Sequence, residues 1–147
     1  MAAKVCALIV GLVFLFFGIS GLFPHLVAPP PDQLRFYEMT MLGHWGYLYS
    51  WLPVNPVHNI LYIVVGGFGV LAAPLRATAI FYCRATFALM IALMAIGFLP
   101  LGADRLWGLI PLFGWNEMLH CVLATLLYYF GFIYPIDVRA VPRLGLT

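Results

Sequence analysis

Charge is the scarcest property of this sequence: seven Lys and Arg and five Asp and Glu make up 8% of its 147 residues. Soluble domains carry about a quarter, so a water-facing globule of this length would lack most of the charge needed to cover its surface. The net charge of +2 comes from so few groups that it forms neither a basic patch for nucleic acid nor a polybasic lipid-binding tail. Cysteine is scarce too. Cys6, Cys83 and Cys121 lie far apart without Cys-x-x-Cys spacing, which speaks against a disulfide framework or a thiolate zinc site and leaves three small hydrophobes expected to be buried. No nucleophile elbow or phosphate-cradling glycine loop surrounds Ser20 or Ser50, so no catalytic residues are expected and the chain is read as non-enzymatic.

What is abundant is hydrocarbon. Hydrophobic residues make up 65% of the chain and the mean hydropathy is +1.04. With about 20 apolar residues per membrane crossing, the length accommodates one integral membrane domain over residues 1–147. Its spans are expected at about 5–23, 55–73, 78–101 and 109–134, closed by Pro24, Pro74, Pro100 and Pro135. Lys4 ahead of the first run resembles a signal peptide, but the run is about 19 residues long and no Ala-x-Ala site follows, so a retained first helix is expected. Lys4, Arg76, Arg84, Arg139 and Arg143 fall on one side of these spans and Arg35 and Arg105 on the other, which places both termini in the cytoplasm. In the first outer loop Leu34, Tyr37, Met41, Trp45 and Leu48 recur at helical spacing among Phe36, Tyr47, Tyr49 and Trp51. That pattern predicts an amphipathic segment on the outer interface, with His25 and His44 as interfacial polar groups. Asp104 and Arg105 read as a solvated turn.

Helices associate in lipid where small residues let backbones approach. Gly11 and Gly18 form such a seam on the first helix, Gly66, Gly69 and Ala73 on the second, and Ala85, Ala88, Ala92 and Ala95 on the third. The partner of each seam could lie in this chain, in a second copy, or in another subunit. Leu52 to Tyr62 also aligns without gaps on Ile110 to His120, matching Pro53 with Pro111, His58 with Asn116, Asn59 with Glu117 and Tyr62 with His120. The expected fold is therefore all-α, a four-transmembrane-helix bundle of two tandem helix pairs related by an axis along the membrane normal.

The strings Pro-Val-Asn-Pro-Val-His-Asn at Pro53 to Asn59 and Gly-Leu-Ile-Pro-Leu-Phe-Gly-Trp-Asn-Glu-Met-Leu-His at Gly108 to His120, with Gly66, Gly67 and Gly69 between them, carry a resemblance. From Trp51 to Phe132 the chain resembles a bacterial family known as a domain of unknown function, made up of small four-helix integral membrane proteins. The resemblance implies a bacterial inner membrane, or an intracytoplasmic or thylakoid one. It implies no activity.

His58, Asn59, Tyr62, Asn116, Glu117 and His120 stand at the outer ends of the second and fourth spans, and ionisable groups inside a membrane are functional candidates by default. In the structural reading, Asn59 and Glu117 line the first helical turns while His58 and His120 act as interhelical hydrogen-bonding glue. The alternative makes His58 and His120 axial ligands of a haem or chlorophyll, although no cofactor is required by the sequence. A dimetal site built on Glu117 and His120 lacks its other ligands, because Asn59 and Tyr62 occupy the matching positions. The structural reading leads to an accessory or scaffolding subunit of a membrane complex, with lipid and other membrane subunits, or further copies of itself, as partners.

Overall fold

In the computed structural model, which describes residues 1–31, 45–98 and 109–135, the apolar runs are helices. Helix α1 covers Ala2–Ser20, α2 Pro56–Ala72, α3 Arg76–Gly97 and α4 Trp115–Tyr128, the last continuing as a π-turn over Tyr129–Ile133. Helices α1, α3 and α4 with its π-turn are long and apolar enough to cross a membrane, and α2 is a shorter apolar helix of 17 residues.

Each helix is apolar on both faces. On α1, Ala3, Cys6, Ala7, Val10, Gly11, Phe14 and Gly18 recur every three or four residues and are buried. Val5, Ile9, Leu12, Phe16 and Ile19, on the other side, are roughly half exposed. Phe68 on α2, Phe81 on α3 and Val122 on α4 are exposed in the same way. A helix this apolar on its outer face suits lipid rather than water, so the fold is that of a helical membrane protein.

Helix α1 packs chiefly against α2, and α3 chiefly against α4. The first contact is nearly backbone to backbone. A Cβ added at Gly66 would lie 2.6 Å from the Leu15 nitrogen and 2.7 Å from the Gly11 carbonyl oxygen, and one added at Gly11 would lie 2.8 Å from the Gly66 oxygen. Gly18 meets the Asn59 carbonyl at 2.8 Å and Gly69 meets the Tyr82 hydroxyl at 2.7 Å in the same sense, whereas Gly67 faces nothing within 4 Å. The alanine seam behaves differently. Ala85, Ala88, Ala92 and Ala95 are all exposed, and α3 turns Ala79, Tyr82, Cys83, Thr86, Met90 and Leu93 inward instead. Of the cysteines, Cys6 and Cys83 are buried in the bundle, while Cys121 lies on its outer surface.

Several boundaries also differ from those expected. The third helix starts at Arg76, where the Thr78 hydroxyl donates to the Ala72 and Leu75 carbonyls at 2.7 and 3.0 Å and tightens the turn from α2. Residues 109–114 are not helical. Pro111 interrupts them, and Gly114, at φ +64°, adopts a conformation only glycine takes cheaply before α4 begins. The all-α expectation also fails in the first loop, where a three-stranded antiparallel sheet forms from β1 (Val27–Ala28), β2 (Gly46–Leu48) and β3 (Leu52–Val54) in the order β1-β2-β3. Leu48, placed on a helical stripe by its spacing, pairs with Val27 and Leu52 instead. The β2–β3 turn carries Tyr49 and Ser50 at φ 52° and 67°, the positive values that suit a tight hairpin's twist. Leu34, Tyr37, Met41, His44, Asp104 and Arg105 lie outside the described residues.

Candidate functional site

The site forms where α2 and α4 begin. Helix α2 starts in an ordinary way: Asn55 is the N-cap, its Oδ1 accepting the His58 N–H at 2.8 Å, and Pro56 takes the first helical position, where no N–H is needed. The other end of the Asn55 amide leaves its own helix and donates to the Leu109 carbonyl at 2.7 Å. Asn116 answers from α4. Its Nδ2 donates at 2.7 Å both to the Pro53 carbonyl, across the chain, and to the Pro111 carbonyl, in its own entry segment. Two asparagine side chains thus tie each helix's entry segment to the other's.

Beneath them His58, Tyr62, Asn116 and His120 are stacked out of contact with solvent, each at most 1% exposed. The His58 ring lies 4.1 Å from Tyr62 and 6.2 Å from His120, centroid to centroid. The Tyr62 hydroxyl is 3.2 Å from His120 Nε2 and 3.5 Å from Asn116 Oδ1. A hydroxyl has one proton, so both contacts are satisfied when His120 is protonated on Nε2 and donates to Tyr62, which donates in turn to Asn116. Phe14 of α1 closes the cluster from below, 5.1 Å from the Tyr62 ring. His120 Nδ1 and both nitrogens of His58 have no hydrogen-bond partner among the described residues.

Asn59 and Glu117, matched in the sequence alignment, occupy matching surroundings. The Asn59 Nδ2 donates to the Gly21 carbonyl at the end of α1, at 2.7 Å. Glu117 sets its carboxyl against Gly97 at the end of α3, where an added Cβ would lie 2.6 Å from Oε1 and 3.0 Å from the Leu112 carbonyl oxygen. A helix end offers carbonyl oxygens, which call for a donor. The amide supplies one, whereas a carboxylate does not, and both Glu117 oxygens are buried without a partner among the described residues. Glu117→Gln is therefore expected to stabilise the protein by about 1 kcal/mol, read as a higher unfolding temperature in detergent. An equal fall would show that the carboxylate holds a bond of its own.

Aromatic rings cover the cluster from outside. Trp45 meets Phe113 at 5.3 Å, and Trp51 bridges from Phe17, at 6.0 Å, to Trp115, at 6.1 Å. Sequence reasoning grouped His58, Asn59, Tyr62, Asn116, Glu117 and His120; the structure brings His58, Tyr62, Asn116 and His120 into contact and sets Asn59 and Glu117 against Gly21 and Gly97. The expected hydrogen bond between His58 and His120 does not form, because His120 Nε2 meets Tyr62 instead. Sequence reasoning missed Asn55 as the cross-link, although Asn before Pro at the head of an apolar run is a legible cap. His25 stands apart from the cluster, exposed beside Phe23. Among the described residues, no three His, Cys, Asp or Glu side chains group as metal ligands. Comparison with curated proteins and with solved structures gives no match. A family model does match, over residues 4–133, and on that match the chain belongs to the domain-of-unknown-function family DUF4383.

Proposed function

We propose that this chain is a non-catalytic multi-pass membrane protein, serving as an accessory or scaffolding subunit of a larger membrane assembly. The observation that carries this reading is the outward face of α3, where Ala85, Ala88, Ala92 and Ala95 are exposed. Small residues in register are what a second helix needs for close approach in lipid, and the bundle does not bury these. In this reading α2 is a fourth span. Its 17 residues rise about 26 Å, near the lower limit for a crossing. The helices then form two tandem pairs, α1 with α2 and α3 with α4, and the matched roles of Asn59 and Glu117 support that arrangement. Lys4 and Arg76 begin α1 and α3 at the end away from the polar cluster, consistent with cytoplasmic termini in a bacterial inner, intracytoplasmic or thylakoid membrane.

The polar cluster serves as the lock between the pairs. Tetrapyrrole binding at His58 and His120 is the reading these contacts favour less. Both rings are fully enclosed, Tyr62 is bonded to His120 Nε2, and a macrocycle would have to part α2 from α4. The subunit reading is tested by Ala88→Leu with Ala92→Leu, changes on a lipid-facing surface that should leave the chain's unfolding temperature unaltered. Extraction in mild detergent should give the wild type in a high-mass assembly and the double variant as a free chain. A folded double variant in an assembly of unchanged mass would overturn it.

A further inference from the structure

We propose that the contact line between α3 and the π-turn of α4 binds the phosphate of an anionic phospholipid through the terminal amino groups of Arg84. Arg84 stands eight residues into α3, about 12 Å along its axis, and is exposed on the outer surface of the bundle. A charged side chain at that depth needs either a partner or a route to the interface. The protein satisfies part of it. The π-turn widens α4, its closing N–H from Tyr134 returning to the Tyr129 carbonyl, and the Gly131 carbonyl accepts the Arg84 Nε–H at 2.8 Å. Gly131 also lets the arginine stem lie flat, because a Cβ there would sit 3.2 Å from the Arg84 Cγ. The guanidinium carbon lies 5.1 Å from the centroid of Phe132, over the ring.

These contacts fix the guanidinium plane while occupying only Nε. The four N–H bonds of the two terminal amino groups have no partner among the described residues, and no carboxylate there pairs with Arg84. Glu117, the one described acid, is 14 residues before Gly131 on α4, about 21 Å away along the helix. A planar fork held on the outer surface of the bundle matches two oxygens of a phosphodiester. With no described carboxylate beside it, the positive charge of Arg84 favours a lipid of net negative charge over a zwitterionic one, whose phosphate is already balanced by its own cation. This inference does not rest on the subunit reading, since the contacts it uses are all made by this chain's own residues.

The test uses the full chain in detergent micelles doped with phosphatidylglycerol or phosphatidylcholine, with retained lipid counted by native mass spectrometry. The wild type should retain phosphatidylglycerol about tenfold over phosphatidylcholine, the difference expected of charge-assisted hydrogen bonds. Arg84→Gln should bring the ratio to within about twofold, Arg76→Gln should largely keep it, and millimolar inorganic phosphate should not displace the lipid. Equal retention of the two lipids by the wild type would overturn the proposal, and that comparison needs no variant to fold. An unchanged ratio in folded Arg84→Gln would also overturn it, as would displacement by inorganic phosphate, which would mark a site for free anions.

Discussion

Gly66→Val is expected to cost about 3 kcal/mol of folding free energy, because the added carbons would meet backbone rather than a side chain that could swing away. The position of a Cβ at Gly66 is already 2.6 Å from the Leu15 nitrogen of α1. Helices α1 and α2 can make room only by separating, and separation also loosens the contacts at Gly11 and Gly69. Gly67 is the internal control. It lies on the same helix with nothing within 4 Å of an added Cβ, so Gly67→Ala should gain about 0.5–1 kcal/mol from helix propensity alone. Unfolding of both variants with a denaturing detergent measures the contrast. Equal effects would mean that α1 and α2 do not meet along this seam.

The second large effect is expected at Asn116. Replacing it with leucine keeps the approximate shape but leaves the Pro53 and Pro111 carbonyls and the Tyr62 hydroxyl each short of a bond, all of them buried. With about 1–3 kcal/mol for each stranded group, a loss of about 3 kcal/mol follows even when some of them find water. The same denaturation measurement reads it. A loss under about 0.5 kcal/mol would mean that the asparagine cross-links do not hold the two helix starts together.

Much of the fold could be read from the sequence because its strongest feature is the strongest constraint a membrane imposes. Long apolar runs ended by proline can satisfy their backbones only as helices, and Pro24 and Pro74 lie within a few residues of where α1 and α2 stop. Direction was harder to read. When both faces of a helix are apolar, hydropathy does not tell the buried side from the lipid side, so the glycines of α1 and α2 and the alanines of α3 look alike in sequence. Only the former are buried in the chain. The segment from Leu109 to Gly114 passed for helix on hydropathy, because Ile110, Leu112 and Phe113 are apolar in a non-helical entry segment as they would be in a span. Strands β2 and β3 have three residues each, too few to show a period. Their turn uses Tyr49 and Ser50 where glycine or asparagine would have signalled a hairpin.

The candidate site was legible as a set of residue types and not as a network. The alignment of Leu52 with Ile110 offsets His58 and His120 by one helical turn, so it does not match the two imidazoles with each other. Tyr62 and Asn116 fill the offset, so the four side chains interleave and the two imidazoles come within 6.2 Å of each other. That the asparagine amides would reach across to backbone carbonyls depends on where residues 109–114 run once they leave the helix, which no local pattern in the sequence specifies.

The central claim is that this buried cluster holds helices together and carries out no chemistry of its own, and His58→Phe tests it most directly. Phenylalanine keeps the ring contact with Tyr62 and removes two nitrogens that have no hydrogen-bond partner among the described residues, a change that should be nearly neutral or slightly stabilising. The measurement is the visible absorption spectrum and the unfolding temperature of wild type and His58→Phe, purified side by side in mild detergent from the membrane in which the chain is made. The account predicts two colourless preparations that unfold at about the same temperature. A visible band in the wild type that disappears in the variant would contradict it and make His58 a pigment ligand.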